Sequence, residues 1–272
     1  MLTNKKIAFI GGGAIAEAIL RGMLKAGLVS AAQVTVCDLS AERLTYIKGA
    51  LAVATSLDGA ETAAKADVLF LTVKPQVIGD VLDTIGPMVA KTTLVISVAA
   101  GITIATLQNK LPEVPIVRVM PNTPVAVGEG MSAVALGQYA DAKAGEVALA
   151  VFSSVGKAVK VSEEAMDAVT GLSGSGPGFM YVLIDALADA GVRVGFPRQL
   201  AITLAAQTMY GSAKMVLETG EHPAKLRDMV TSPAGTTIAG IHVLERQQVR
   251  AALMDAVVVA TERSREMGQK LK

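Results

Sequence analysis

Residues 7–16 read Ile-Ala-Phe-Ile-Gly-Gly-Gly-Ala-Ile-Ala, and this stretch decides the fold of the amino-terminal half. Its four leading residues predict a short buried strand, and an amphipathic helix follows to about residue 27. The spacing matches the G-x-G-x-x-G/A fingerprint of dinucleotide-binding proteins, in its required place between a strand and a helix. There a pyrophosphate can approach the backbone at the amino end of the helix. The sequence therefore predicts a dinucleotide site that includes Gly11, Gly13, Ala14 and Ile15.

An acidic residue follows at the position where such proteins bind the adenosine ribose. Asp38 stands 22 residues after Ala16, at the end of the second expected strand. A carboxylate there accepts a hydrogen bond from the ribose 2′-hydroxyl and favours NADH, because it repels a 2′-phosphate. Ser40 and Arg43 lie just beyond and could receive that phosphate instead. The cofactor is thus expected to be NADPH or NADH.

Strand patterns alternate with helix patterns over the first 161 residues, which predicts parallel βαβ units in a doubly wound, Rossmann-type sheet. Loops at the carboxyl ends of such strands bind ligands. Two of these loops therefore join the expected cofactor site, one through Val73, Lys74 and Pro75 and the other through Val98, Ala99 and Ala100. The strands are expected at 5–10, 33–38, 51–54, 67–73, 93–98 and 115–120, with a weaker pair at 131–136 and 157–161.

The pattern changes after residue 161, because only helical periodicity continues from there. Long helices are expected at 179–190, 198–218 and 250–268, with apolar faces too broad for one small domain to bury. The fold class is therefore α/β, with an NAD(P)-binding domain at 1–161. An all-helical domain at 162–272 is expected to bind substrate and to dimerise.

Composition excludes several other classes of function. The 272 residues are 51% hydrophobic, yet no apolar run reaches the ~18 residues of a membrane span. The net charge of +1, without a dense Lys/Arg run, argues against a nucleic-acid partner. The single cysteine, Cys37, and the lack of a secretory signal predict a cytoplasmic protein. With only His222 and His242 as further soft ligands, no metal site is expected.

A second motif lies near the carboxyl terminus. Residues 232–237 read Ser-Pro-Ala-Gly-Thr-Thr and lead into a helix-like run at 238–245. The start of a helix directs unpaired backbone N–H groups and its positive dipole end at one spot, which suits a carboxylate. Thr237 adds a hydroxyl at the same place. The alternative is that Thr237 only caps the helix, as threonines at this position usually do.

This motif, with the His-Val-Leu-Glu run at 242–245, resembles the signature of pyrroline-5-carboxylate reductases. Segments 9–13, 73–76, 120–124 and 171–177 look like motifs of the same family in the family's order. The resemblance implies reduction of 1-pyrroline-5-carboxylate, a cyclic imino acid, to proline by NADPH or NADH. It also implies a nicotinamide-binding domain followed by a helical domain that forms an interlocked dimer, with dimers that often assemble into a decamer.

The resemblance also implies roles for single residues. The substrate carboxylate is expected on the loop that contains Ser232, Gly235 and Thr236, and the ring nitrogen on Thr237, the one expected catalytic residue. Glu163 matches an acid associated with the substrate site, and the segment from Val98 to Ala100 matches a cofactor contact.

This chain departs from the family at Ala234, where many members have glycine. A positive φ at that position would strain alanine by roughly 1 kcal/mol or more. Two alternative functions stay open on the residues alone. One is a hydroxy-acid or 6-phosphogluconate-like dehydrogenase, and the other is an NAD(P)-binding protein without catalysis.

Overall fold

One eight-stranded sheet organises the amino-terminal part of the computed structural model, which describes residues 2–270. The strand order is β3-β2-β1-β4-β5-β6-β7-β8, and all neighbours are parallel except β6 and β7. This confirms the predicted doubly wound sheet. The sheet also contains one antiparallel pair, β6 with β7, near one edge. The strands are β1 (Ile7–Ile10), β2 (Val34–Cys37), β3 (Ala54–Ser56), β4 (Val68–Leu71), β5 (Leu94–Ser97), β6 (Ile116–Met120), β7 (Gly130–Leu136) and β8 (Gly156–Lys160).

The third expected strand was placed wrongly. Residues up to Leu51 continue the preceding helix, and the strand begins at Ala54. The error has a local cause, because Ala52 ends the helix in the left-handed conformation with a φ of 55°. The apolar run at 51–53 therefore straddles a helix end and a turn, and its composition alone does not reveal the break.

Helices surround the sheet and make up the rest of the chain. No helix among the described residues is long and apolar enough to span a bilayer. The helices are α1 (Ala14–Lys25), α2 (Ala41–Leu51), α3 (Gly59–Ala64), α4 (Ile78–Ile85), α5 (Ile104–Lys110), α6 (Ala142–Ser153), α7 (Met166–Val169), α8 (Gly176–Arg193), α9 (Arg198–Thr219), α10 (Pro223–Met229), α11 (Thr236–Arg246) and α12 (Val249–Lys270).

The central strands of the sheet are buried on both faces, which accounts for their nearly continuous apolar sequences. Ile7 and Phe9 of β1 face a core that α1, α2 and α6 complete, whereas Ala8 and Ile10 face a second core beneath α3, α4 and α5. Phe9 stacks on Phe70 of the neighbouring β4 with ring centroids 4.5 Å apart. The alternation of side chains along β1 thus anchors helices on both sides of the sheet.

The amino ends of β1 and β4 are joined by one carboxylate. Oδ2 of Asp67, just before β4, accepts the backbone N–H of Lys6 at 2.7 Å, and Lys5 lies 3.4 Å from Oδ1. The hydrogen bond from Lys6 is the main reason that the pKa of Asp67 lies below its ordinary value of 3.8. Asp67 therefore stabilises the central strand pair in its ionised form.

Packing within one chain divides it into two compact units. The first comprises the described residues up to Ser175 together with those from Val259 onward, and the second is Gly176–Val258. Residues 162–175 group with the first unit because Met166 is buried in the second core. The end of α12 does so because Ser264 donates to Asp167 at 2.6 Å. The functional boundary expected at residue 161 stays a prediction.

The second unit has almost no core of its own. Its only buried residues are three alanines, Ala188, Ala201 and Ala205. Large apolar side chains are exposed on every helix of the unit, among them Val182 at 69% and Leu244 at 54%. Exposed apolar surface of this extent is typical of faces that another protein surface covers.

We predict that Asp67→Asn destabilises the protein near neutral pH and not in acid. A carboxyl with a depressed pKa stabilises the fold above its ordinary pKa, and this contribution is lost as pH falls through the folded-state value. Melting temperatures of wild type and variant should therefore differ near neutral pH and converge below about pH 3.8. Asp83→Asn, which removes an exposed carboxylate paired with Lys110, is the matched control. An equal loss at both pH values would assign the effect to geometry and not to charge.

Candidate functional site

The expected cofactor residues of the first unit meet at one edge of the sheet. Ile10 is in register with Cys37 on one side and Leu71 on the other, and Leu71 is in register with Ser97. Because these strands are parallel, the loops that follow them leave from the same edge. The order of the sheet reverses between β1 and β4, which is where open α/β sheets bind ligands.

Gly11 forms the tight turn that follows β1. Its φ is 97°, and a Cβ there would lie 2.9 Å from the carbonyl carbon and oxygen of Thr72. The hydroxyl of Thr72 is 2.6 Å from the carbonyl oxygen of Gly11 and braces the turn from the neighbouring strand. Only glycine fits, since both the backbone conformation and the close approach exclude a side chain. Sequence reasoning placed Thr72 in the expected strand 67–73 and gave it no role of its own, although the expected cofactor loop begins at Val73.

The start of α1 leaves room for an anion. Gly13 is the N-cap residue, no side chain caps the helix, and a Cβ at Gly13 would meet no atom within 4 Å. Geometry leaves the first N–H groups of a helix without an intrahelical acceptor, and this applies here to Ala14 and Ile15. Open space, free N–H groups and a positive dipole end together fit the pyrophosphate of a dinucleotide.

Asp38 stands at this edge as expected, and its carboxylate is held on both oxygens. Oδ2 accepts the backbone N–H of Gly12 at 2.7 Å, and Oδ1 accepts that of Ser40 at 2.9 Å. The side chain therefore links the end of β2 to the glycine turn. Each oxygen keeps a second lone pair, so a hydrogen bond from a ribose hydroxyl remains open to Asp38.

Arg43 and Ser40 are engaged differently from the expected phosphate contact. The Arg43 Nε donates to the carbonyl oxygen of Gly12 at 2.5 Å, and its Nη2 pairs with Glu17 of α1 at 2.5 Å. The Ser40 hydroxyl accepts the backbone N–H of Arg43 at 3.2 Å and caps α2. In the structure both residues thus support the glycine turn and the helix start.

The two remaining cofactor loops lie beside the turn. The N–H of Val98 donates to the carbonyl oxygen of Leu71 at 3.1 Å, which continues the strand pairing up to the edge. Ala99 is buried and Ala100 is half-buried behind it. The other loop keeps Val73 half-buried and Lys74 exposed, and Pro75 opens a short 3-10 turn. Because the residues at these positions are small or would contribute mainly through their backbone, a ligand can approach this edge of the sheet.

Glu163 has partners inside the first unit. Its Oε1 accepts the N–H of Ile104, the first residue of α5, at 2.6 Å and lies 3.2 Å from the guanidinium of Arg118. Arg118 is buried, with its side chain 6% exposed, and this carboxylate offsets its charge. These contacts anchor the segment after β8. The substrate role implied for Glu163 stays a prediction.

Asn122 is a second residue whose role sequence reasoning missed, although it lies in the quoted segment 120–124. Its amide group donates to the carbonyl oxygen of Ser173 at 3.0 Å and accepts the N–H of Met131 at 2.8 Å. Ser173 belongs to a π-helical turn, Thr170–Gly174, which leads into α8. The quoted segment 171–177 thus lies in an almost continuous helix with one widened turn.

In the second unit, the motif at 232–237 forms an exposed turn that starts α11. The N–H of Gly235 donates to the carbonyl oxygen of Ser232 at 3.0 Å. Gly235 is the N-cap, so no side chain occupies the cap position. The first N–H groups of α11, at Thr236 and Thr237, are therefore free to bind an anion.

Thr237 is not the cap of this helix. It is the second residue of α11, and its exposed hydroxyl has no hydrogen-bond partner within the part of the chain that the structure describes. The alternative that Thr237 only caps the helix is wrong, because Gly235 takes that position. Its hydroxyl is available next to the N–H groups.

Ala234 has a φ of 56°, in the left-handed region. The strain anticipated for an alanine in this turn is therefore present, at roughly 1 kcal/mol. Backbone strain of this kind persists where the surrounding chain determines the conformation. The turn before α11 thus keeps its geometry despite the loss of glycine.

Comparisons with known proteins agree with both halves of this description. A family model described as pyrroline-5-carboxylate reductase dimerisation matches residues 163–267, and one described as NADP oxidoreductase coenzyme F420-dependent matches residues 6–101. A pyrroline-5-carboxylate reductase from Methanosarcina acetivorans is 47% identical over 99% of this chain and 100% of its own length.

Solved structures give the same result. A pyrroline-5-carboxylate reductase from Coxiella burnetii is 34% identical, with a TM-score of 0.91 over 97% of this chain and 98% of that one. Plasmodium falciparum pyrroline carboxylate reductase, solved with NADP bound, is 32% identical, with a TM-score of 0.86 over 97% and 98%. The chain belongs to the pyrroline-5-carboxylate reductase family.

Proposed function

We propose that this protein reduces 1-pyrroline-5-carboxylate to proline, with NADPH or NADH as the hydride donor. The observation that carries the proposal is the uncapped start of α11 with the free Thr237 hydroxyl, in a chain that matches these reductases over nearly its full length. A cyclic imino acid has the two groups that such a site would bind, a carboxylate and a ring nitrogen.

The reaction does not require a strong catalytic acid or base from the protein. Reduction of the imine adds a hydride to the ring carbon and a proton to the nitrogen, and the bound nicotinamide would supply the hydride. The imine nitrogen is basic enough to take its proton from solution. The role of the protein is then to orient the substrate, which can lower a barrier by several kcal/mol. Backbone N–H groups between Ser232 and Thr237 would hold the carboxylate, and the Thr237 hydroxyl would hold the nitrogen.

On the cofactor side, the first unit supplies the remaining contacts. The open N-cap at Gly13 would take the pyrophosphate, and Asp38 would take the adenosine ribose. The loops at Val73–Pro75 and Val98–Ala100 would flank the rest of the dinucleotide. We assign nicotinamide binding to residues 1–161, and substrate binding and dimerisation to 162–272. The dimerisation model matched to 163–267 supports this division.

We also propose that the protein is a homodimer, capable of further assembly to a decamer. The support is the second unit, where only three alanines are buried and apolar side chains are exposed along α8, α9 and α11. A second copy presents the same apolar faces, and a symmetric dimer buries both sets at once. The cytoplasm is the proposed location, and the free thiol of buried Cys37 fits a reducing compartment.

The first prediction concerns activity. Purified protein should oxidise NADPH or NADH in the presence of 1-pyrroline-5-carboxylate and form an equal amount of proline. The measurements are absorbance of the reduced cofactor and amino-acid analysis, with 2-hydroxy acids plus oxidised cofactor as the competing assay. Protein that binds the cofactor and forms no proline would refute the proposal. Turnover of hydroxy acids would favour the dehydrogenase alternative.

The second prediction concerns Thr237. Loss of a hydrogen bond to the imine nitrogen in the transition state costs about 1–3 kcal/mol, so Thr237→Ala should lower kcat/KM roughly ten- to hundredfold. The melting temperature should barely change, because the hydroxyl makes no cap. Thr237→Ser keeps the hydroxyl and is the matched control. A near-normal kcat/KM in Thr237→Ala would mean that backbone N–H groups alone orient the substrate, and it would contradict the role proposed for the hydroxyl.

The third prediction concerns assembly. Light scattering should give at least twice the mass of one chain at micromolar concentration. Val182→Glu places a charge on the exposed apolar surface of α8 and should weaken the assembly, because a buried unpaired charge is costly. Leu57→Glu makes the same change at an exposed site of the first unit and should leave the mass unaltered. A monomer mass for the wild-type protein would contradict the proposal.

A further inference from the structure

We infer that this enzyme selects NADH over NADPH, through Asp38 and through a Glu17 carboxylate that keeps Arg43 away from the ribose site. The inference rests on the proposed function only in that a nicotinamide dinucleotide is the ligand. It concerns the end of β2, where dinucleotide-binding proteins recognise either a free 2′-hydroxyl or a 2′-phosphate. The residue types alone left this choice open.

Asp38 is fixed in place and cannot turn aside for a phosphate. Its two oxygens accept the N–H groups of Gly12 and Ser40 at 2.7 and 2.9 Å, so a rotation of the side chain would leave both N–H groups unpaired. The carboxylate is half-buried against the glycine turn. A 2′-phosphate would therefore lie beside a fixed negative charge, whereas a 2′-hydroxyl would donate to it.

Arg43 is the cation that could offset this repulsion, and it is engaged elsewhere. Its Nε donates to the carbonyl oxygen of Gly12 at 2.5 Å, its Nη2 pairs with Glu17 at 2.5 Å, and its guanidinium carbon lies 4.9 Å from the ring centre of Tyr46. To bind a phosphate through Nε or Nη2, the side chain would have to give up its hydrogen bond to Gly12 or its ion pair with Glu17.

Glu17 is the positioning residue in this arrangement. Its side chain is 16% exposed and receives hydrogen bonds from Arg43, Arg21 and Tyr46. Burial pushes the pKa of Glu17 upward, but the hydrogen bonds from Arg43 and then Arg21 outweigh burial, so its pKa lies below the ordinary value. Glu17 is therefore ionised at neutral pH and holds Arg43 on the α1 side of the glycine turn.

Ser40 does not replace the missing cation. Its hydroxyl accepts the N–H of Arg43 and caps α2, and its own N–H donates to Asp38. Both groups are therefore already engaged. The Ser40 hydroxyl is also uncharged, so it cannot offset the repulsion between Asp38 and a 2′-phosphate. An uncompensated like charge about 4 Å away lowers affinity by about fivefold if screened as in bulk water and by about a thousandfold at the effective dielectric of a protein surface. We expect a preference of that size for NADH.

The test is calorimetric titration of the intact protein with NAD⁺ and NADP⁺, repeated with 5′-ADP and 2′,5′-ADP, which lack the nicotinamide. The wild type should bind the ligands without a 2′-phosphate about tenfold more tightly, or better. Equal or tighter binding of the phosphorylated ligands would overturn the inference. These titrations need no imine substrate, so they are independent of whether the enzyme reduces 1-pyrroline-5-carboxylate.

Two variants separate the contributions. Asp38→Asn keeps an oxygen acceptor for the Gly12 N–H and removes the charge, so it should narrow the preference about tenfold by strengthening NADP⁺ binding. Glu17→Gln releases Arg43 and should strengthen NADP⁺ binding several-fold with little change for NAD⁺. Asp83→Asn removes a distant exposed carboxylate and should leave both affinities unaltered. Equal weakening of both ligands in Asp38→Asn and Glu17→Gln would mean that the residues only support the turn, and would overturn the inference.

Discussion

The parallel pairing of β1 with β4 is the constraint on which the rest of the first unit depends. Both strands are buried on both faces, and Phe9 and Phe70 stack across the pair. With the two strands in register, the turn at Gly11 lies directly against Thr72, where the backbones approach too closely for any side chain. The proposed cofactor edge is therefore a consequence of how the sheet is closed, since the loops cannot shift without breaking this pair.

Polar contacts then fix the positions of the charged side chains at that edge of the sheet. Asp38 holds the glycine turn through the N–H of Gly12, and Arg43 holds the same turn through the carbonyl oxygen of Gly12. Glu17 links this arrangement to α1. Because each of these three side chains is held by at least two contacts, the charges have little freedom to rearrange when a ligand arrives. A rigid distribution of charge at the ribose position is what makes a preference between two nearly identical cofactors physically reasonable.

The second unit, in contrast to the first, has almost no buried core. It buries only small alanines and leaves its large apolar residues exposed, so its stability depends on a partner surface. The turn proposed to bind substrate carries a strained alanine and an uncapped helix start. Features that weaken a fold locally are common where a protein binds substrate. A side-chain cap on α11 would occupy one of the N–H groups that could otherwise bind a carboxylate.

The sequence by itself determined the class of fold, most of the strands and the positions of both glycine-containing turns, because apolar periodicity and turn chemistry are local properties. It also identified Asp38 and Thr237 as candidates. Only the tertiary structure decided that Gly235, and not Thr237, occupies the cap position, and that Asn122 joins β6 to the π-helical turn. It also decided that Arg43 faces Glu17 instead of the ribose site. The contacts of Asn122 and Arg43 depend on which atoms meet across residues distant in sequence, such as Glu17 and Arg43, and no local pattern encodes such a meeting.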